Sequence, residues 1–181
     1  MLHDELKDQI LNTKLNYLNG YLTALGLLNS YSIIGVNCKL YAFNFSAGDI
    51  EKCIQNNAYE LFGVYPNDWD IEIEKIDDWE NKLKNELNAS TKRRIPTETN
   101  PSASNQLDYS ENDLVKDLNH SIKRVNEYFI SMLKTEFSTD STDVHELKIK
   151  TKNSSYRLIG IDLIFEIDSN KILFLQTNGN D

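Results

Sequence analysis

The chain has 181 residues, 40% hydrophobic and 26% charged, an ordinary composition for one globular domain spanning residues 1–181. Its 19 basic and 28 acidic residues leave a formal net charge of −9, a surface that repels nucleic-acid phosphates and anionic lipid and attracts basic partners. The two cysteines, Cys38 and Cys53, make no disulfide framework. A charged amino terminus and the lack of any membrane-length apolar run give the cytoplasm as the expected compartment.

Residues 4–29 have helical spacing. Leu6, Ile10, Tyr17, Tyr21, Leu25 and Leu28 recur at three- and four-residue steps, with Leu18 and Leu22 widening the stripe. Gly20 and Gly26 weaken that helix and predict a kink or an early end. In residues 32–45, Val36, Cys38, Leu40 and Ala42 alternate with Asn37, Lys39 and Tyr41, the pattern of a strand. Cys38 falls on its buried face as an inert thiol, because no flanking basic residue or helix start lowers its pKa. Residues 46–62 predict a second helix, capped by Ser46 or Asp49 and stopped at Gly63.

The most unusual stretch is residues 68–80. Asp68, Asp70, Glu72 and Glu74 alternate with Trp69, Ile71 and Ile73, so a strand here carries carboxylates on one face and apolar groups on the other. Successive carboxylates on that face would stand roughly 6–7 Å apart. Lys75 is the only nearby cation in sequence, and Asp77, Asp78 and Glu80 add further charge. From Ile76 the spacing changes, and Ile76, Trp79, Leu83 and Leu87 predict a short helix with Asp77 and Asp78 at its positive end. The stretch has two readings: a solvated strand face followed by a helix, or a docking surface for a basic partner.

Residues 88–110 are polar, hold two prolines, and predict an exposed, flexible loop. Residues 111–137 make the clearest helix, with the stripe Leu114, Leu118, Ile122, Val125, Phe129 and Met132 and with His120 on its polar side. Residues 144–151 read as a strand on which Lys148 and Lys150 guard a sheet edge.

Residues 156–177 are the most apolar part of the chain and predict a long β-hairpin. Ile159, Ile161, Leu163, Phe165 and Ile167 share one face, which is expected to pack on helices. The other face is mixed and expected to be partly covered. With Ser169 and Asn170 as the turn, Asp168 meets Lys171, Ile167 meets Ile172 and Phe165 meets Phe174. Together these elements predict an α+β fold: an antiparallel sheet ending in a C-terminal β-meander, with helices packed mainly on one face.

Catalytic signatures are lacking. His3, His120 and His145 are scattered and, with two separated cysteines, give no zinc spacing. There is no phosphate-cradling glycine loop, dinucleotide fingerprint or GxSxG elbow. Glu72-Ile73-Glu74-Lys75 approximates a metal-nuclease motif, but Lys75 falls on the opposite face from Glu74. No catalytic residue, cofactor or metal is therefore expected. Asp162, the one acid inside the hairpin run, is either a hydrogen-bonded carboxylate at the sheet margin or the acid of a small-ligand or enzymatic pocket, with Tyr156 as a further candidate.

In size, acidity and the placing of helices before a C-terminal strand pair at Gly160-Ile161-Asp162-Leu163-Ile164-Phe165, the chain resembles the cytoplasmic immunity proteins of bacterial contact-dependent inhibition and polymorphic-toxin systems. That resemblance implies a non-enzymatic inhibitor in a one-to-one complex with a cognate toxin domain, often a nuclease with a basic surface, whose active site it blocks. The surface expected to bind the partner is Asp68, Asp70, Glu72, Glu74, Asp77, Asp78 and Glu80. The alternatives are the pocket around Asp162, and a scaffold subunit with an exposed apolar patch on the second sheet face.

Overall fold

A computed structural model describes residues 2–29, 35–45, 49–63, 69–92, 113–139, 142–151 and 160–180. The C-terminal apolar run forms the hairpin β4 (Asp162–Asp168) and β5 (Lys171–Asn180). Both strands sit inside a five-stranded antiparallel sheet of order β1-β5-β4-β3-β2, where β1 is Gly35–Asn44, β2 is Trp69–Lys75 and β3 is Val144–Thr151. The fold is α+β, and β3, β4 and β5 form the expected meander.

Interior strands need apolar cover on both faces. One face packs Leu163, Phe165, Leu173 and Leu175 under α1 (Leu2–Asn29), α4 (Trp79–Lys92) and α5 (Asp113–Phe137). Leu18 and Leu22 of α1, Leu83 of α4, and Phe129 and Leu133 of α5 are the deepest helical contributions. Trp79 meets Phe165 edge-on, with ring centroids 5.1 Å apart. The opposite face packs Ile164, Ile172 and Phe174 under two short helices, α2 (Ile50–Asn56) and α3 (Ala58–Phe62), through Cys53, Ile54 and Leu61. Helices thus lie mainly on one face, with a smaller cover on the other.

Several local expectations are corrected. α1 runs unbroken through Gly20 and Gly26. Gly20 faces solvent, and the buried stripe of Leu15, Leu18, Leu22 and Leu25 holds the helix regardless. The predicted helix over 46–62 is split at Asn57. Its side-chain amide donates to the Cys53 carbonyl at 2.8 Å, competing with the backbone, and Asn57 then serves as the N-cap of α3. Asp49 does cap α2, accepting from the Lys52 N–H, and Gly63 ends α3 at a positive φ of 71°. α4 continues to Lys92, into the expected loop, where Asn88 accepts a hydrogen bond from the Asn126 amide of α5 at 3.1 Å. The rest of that loop, together with Ser46, Asp68, Tyr156 and Ile159, lies outside the described residues.

The hairpin register also differs by one. Asp168 meets Lys171 as expected, but Ile172 pairs with Glu166, Phe165 with Leu173 and Ile164 with Phe174. A bulge between Glu166 and Asp168 inserts Ile167 as an extra residue. The insertion puts Phe174 on the α2–α3 face, against Phe62 at 6.0 Å. Strand β3 is interior, so its lysines do not guard an edge.

Two substitutions test this packing. Phe165→Ala should lower stability by about 3–5 kcal/mol, since the ring is fully buried. Gly20→Ala should raise it by about 0.5–1 kcal/mol, because an added Cβ meets nothing within 4 Å. Urea denaturation read by circular dichroism would measure both, and a destabilised Gly20→Ala protein would contradict the helix described.

Candidate functional site

The acidic stretch forms edge strand β2 and the start of α4. Its alternation places Ile71 and Ile73 on the α2–α3 side, where they pack with Ile149 against the smaller core. The carboxylates point to the other side, and Asp70, Glu72 and Glu74 are exposed.

The carboxylates are not as unopposed as the sequence suggests. β2 pairs with β3 so that Asp70 lies across from Lys150, Glu72 from Lys148 and Glu74 from Glu146. The lysine side chains lean diagonally: Lys150 Nζ reaches Glu72 Oε2 at 3.0 Å and Lys148 Nζ reaches Glu74 Oε2 at 2.5 Å. Lys148 also lies 3.5 Å from Glu146, which accepts from Lys82 of α4 at 2.6 Å. Lys75, the cation nearest in sequence, instead bonds Asp143 at 2.6 Å. The Lys148 bond and charge hold the Glu74 carboxyl below the usual range, and Lys75 does the same for Asp143. The lysines move the opposite way, Lys148 being raised first by its bond to Glu74 and Lys75 by its bond to Asp143.

Beyond the strand, Asp78 accepts from the Asn81 side-chain amide at 2.7 Å, and its carbonyl accepts from the Lys82 N–H as α4 begins. Glu80 pairs with Lys134 of α5 at 2.7 Å. Among the described residues, Glu72, Glu74 and Glu80 are therefore ion-paired, while Asp70, Asp77 and Asp78 are exposed with no ion-pair partner within 4 Å. The lysine row was detectable in sequence as Lys148-x-Lys150, matching the two-residue spacing of Glu72-x-Glu74. What sequence reasoning lacked was the neighbour relation of the two strands.

Asp162, the one acid inside the hairpin run, is buried rather than open to a cleft. It opens β4 in the sheet interior, 2% exposed, between Leu147 of β3 and Gln176 of β5. Gln176 donates to the Leu61 carbonyl of α3 at 2.9 Å, which ties this end of the sheet to its small helical cover. Neither of two surface clefts is lined by Asp162. One, of about 420 Å³, lies between α4 and α5 and is flanked by the ion pairs Lys84–Glu127 and Lys134–Glu80. The other, of about 310 Å³, is bordered by Asp49, Lys52 and Cys53. Burial pushes the Cys53 thiol up, and the Asp49 charge adds to this against a hydrogen bond from Asn57, so the thiolate is disfavoured. His145 Nε2 lies 2.6 Å from Glu166 Oε1, and His120 is exposed on α5. No group of three or more His, Cys, Asp or Glu side chains is placed to hold a metal among the described residues. No helix of the described residues is long and apolar enough to cross a membrane.

Comparison of the chain with protein-family models, curated proteins and solved structures finds no match.

The ion-pair ladder has a pH signature. A carboxyl whose pKa is lowered by folding stabilises above its unfolded pKa and loses that contribution as pH falls through the folded one. Stability should therefore decline on acidification through and below the ordinary carboxylate range, modestly, because Glu74 and Asp143 remain in solvent. Carboxyl-carbon NMR should place the Glu74 midpoint below that of a free glutamate, and Lys148→Ala should return it upward. An unmoved midpoint in Lys148→Ala would remove Lys148 as the cause.

Proposed function

We propose that this chain is a non-enzymatic, immunity-type inhibitor that acts in the cytoplasm, needs no cofactor, and binds one copy of a basic toxin domain, such as a nuclease, over its active site. One observation supports this above the others. After internal pairing, and among the described residues, Asp70 near the start of edge strand β2 and Asp77 and Asp78 between β2 and α4 remain exposed with no ion-pair partner within 4 Å, on a protein of net charge −9. Such charge accelerates encounter with a basic surface and rejects acidic competitors. Glu72, Glu74 and Glu80, already bonded to lysines, shape the surface and contribute less to its net field.

The test begins with stoichiometric capture of a partner from the source cells, followed by titration of that partner's activity with the purified chain. Inhibition should saturate at one to one. Asp70→Lys, Asp77→Lys and Asp78→Lys combined should slow association on the order of tenfold or more at low salt, with a smaller effect on dissociation, and circular dichroism should show the variant still folded at the assay temperature despite the charge lost at the start of α4. Inhibition unaffected by the triple reversal would remove these carboxylates from the interface. A partner whose activity is not inhibited at all would end the inhibitor reading.

A further inference from the structure

The two edges of the sheet are finished differently. At β1 the outer edge is covered by α1, and Asn19 acts as a surrogate strand residue. Its Nδ2 donates to the Leu40 carbonyl and its Oδ1 accepts from the Leu40 N–H, both at 2.8 Å. At β2, among the described residues, no strand lies beyond and nothing bonds to the outer backbone. The phase of that backbone is set by the Ile76 N–H, which donates to the Val144 carbonyl at 2.9 Å. That bond makes 76 and 144 a hydrogen-bonded pair. By antiparallel alternation Glu74, Glu72 and Asp70 turn their backbone groups toward β3, and Ile73 and Ile71 turn theirs outward.

The open edge therefore offers outward N–H and C=O groups at two isoleucines. Apolar side chains line one face and carboxylates the other. A second copy of this chain does not suit it, because antiparallel pairing of β2 with itself in a continuous sheet sets Asp70, Glu72 and Glu74 against one another. A strand that is basic on one face and apolar on the other does suit it. Its cations would meet the carboxylates, which retain acceptor sites opposite their β3 lysines. Its apolar residues would extend the stripe of Ile71, Ile73 and Ile149.

We infer that β2 takes up an extended segment of the basic partner by strand addition, with Lys or Arg opposite Asp70, Glu72 and Glu74 and β-branched residues opposite Ile71 and Ile73. This deepens, and rests on, the reading of the acidic face as a protein-binding surface. The main-chain bonds of Ile71 and Ile73 supply attachment, and the alternating side chains fix the register.

A synthetic peptide of about nine residues alternating lysine with valine is the probe, with a glutamate–valine peptide as control. Saturating lysine peptide should slow amide hydrogen exchange at Ile71 and Ile73 about tenfold, leave Glu72 and Glu74 unchanged, and lose its effect in the glutamate version. Ile71→Pro, which deletes an outward N–H without breaking the β2–β3 ladder, should weaken binding by about tenfold relative to Ile71→Ala. Salt-sensitive binding that spares these two amides and tolerates Ile71→Pro overturns strand addition and leaves the acidic docking surface standing. Failure of the lysine peptide to bind also overturns strand addition, while the toxin titration decides the inhibitor reading separately.

Discussion

The architecture depends on one constraint: β4 and β5 are apolar on both faces. Leu163, Ile164 and Phe165 are consecutive and all fully buried, as are Ile172, Leu173, Phe174 and Leu175. Alternating side chains send these residues to opposite sides, so neither side can be left to water. The three long helices satisfy one side, and α2 with α3 satisfies the other. The bulge at Ile167 decides which residues go where. By adding one residue to β4 it aligns the odd series of both strands under the long helices and sends Ile164, Ile172 and Phe174 to the short ones.

Away from this centre the sheet becomes amphipathic and charge takes over the specification. β3 and β2 keep an apolar face toward the smaller core and devote the other to a Glu–Lys ladder that reaches α4 through Lys82. Each exposed pair contributes little to stability. Their collective effect is on alignment, since a slip of β2 by one residue would put its isoleucines among the lysines. The same ladder separates the carboxylates into those committed within the fold and those left facing solvent.

Much of the fold was legible because period and composition agree. The stripes of α1 and α5, the alternation of β2 and the turn at Ser169-Asn170 all follow from local rules. The departures share a physical origin in contacts between residues distant in sequence. Gly20 does not end α1, because burial of Leu18 and Leu22 outweighs a propensity cost of about 1 kcal/mol. Lys148 and Lys150 looked like edge guards, because nothing local announces that β2 lies beyond them. The acidic stretch was visible, but the portion of its charge left uncompensated depends on the β2–β3 register, which hydrophobic alternation alone does not assign. The role of Asn19 carried no signal at all, since a polar residue within a helix is ordinarily a solvated one.

The position of β5 has a consequence for how the molecule is assembled. The last strand in chain order, β5, lies between β4 and β1, and every described partner of β1 in the sheet comes from it. Leu40 therefore meets Leu175 only after all the polypeptide between them has been synthesised. Ribosomal synthesis delivers β1 before the other four strands and leaves it without a sheet neighbour until β5 follows, with α1 as the cover nearest in sequence. Such non-local closure slows folding and lengthens the time that apolar strands stand exposed. A chain of this topology keeps an apolar strand unpaired for longer than one whose strands pair in the order they are made.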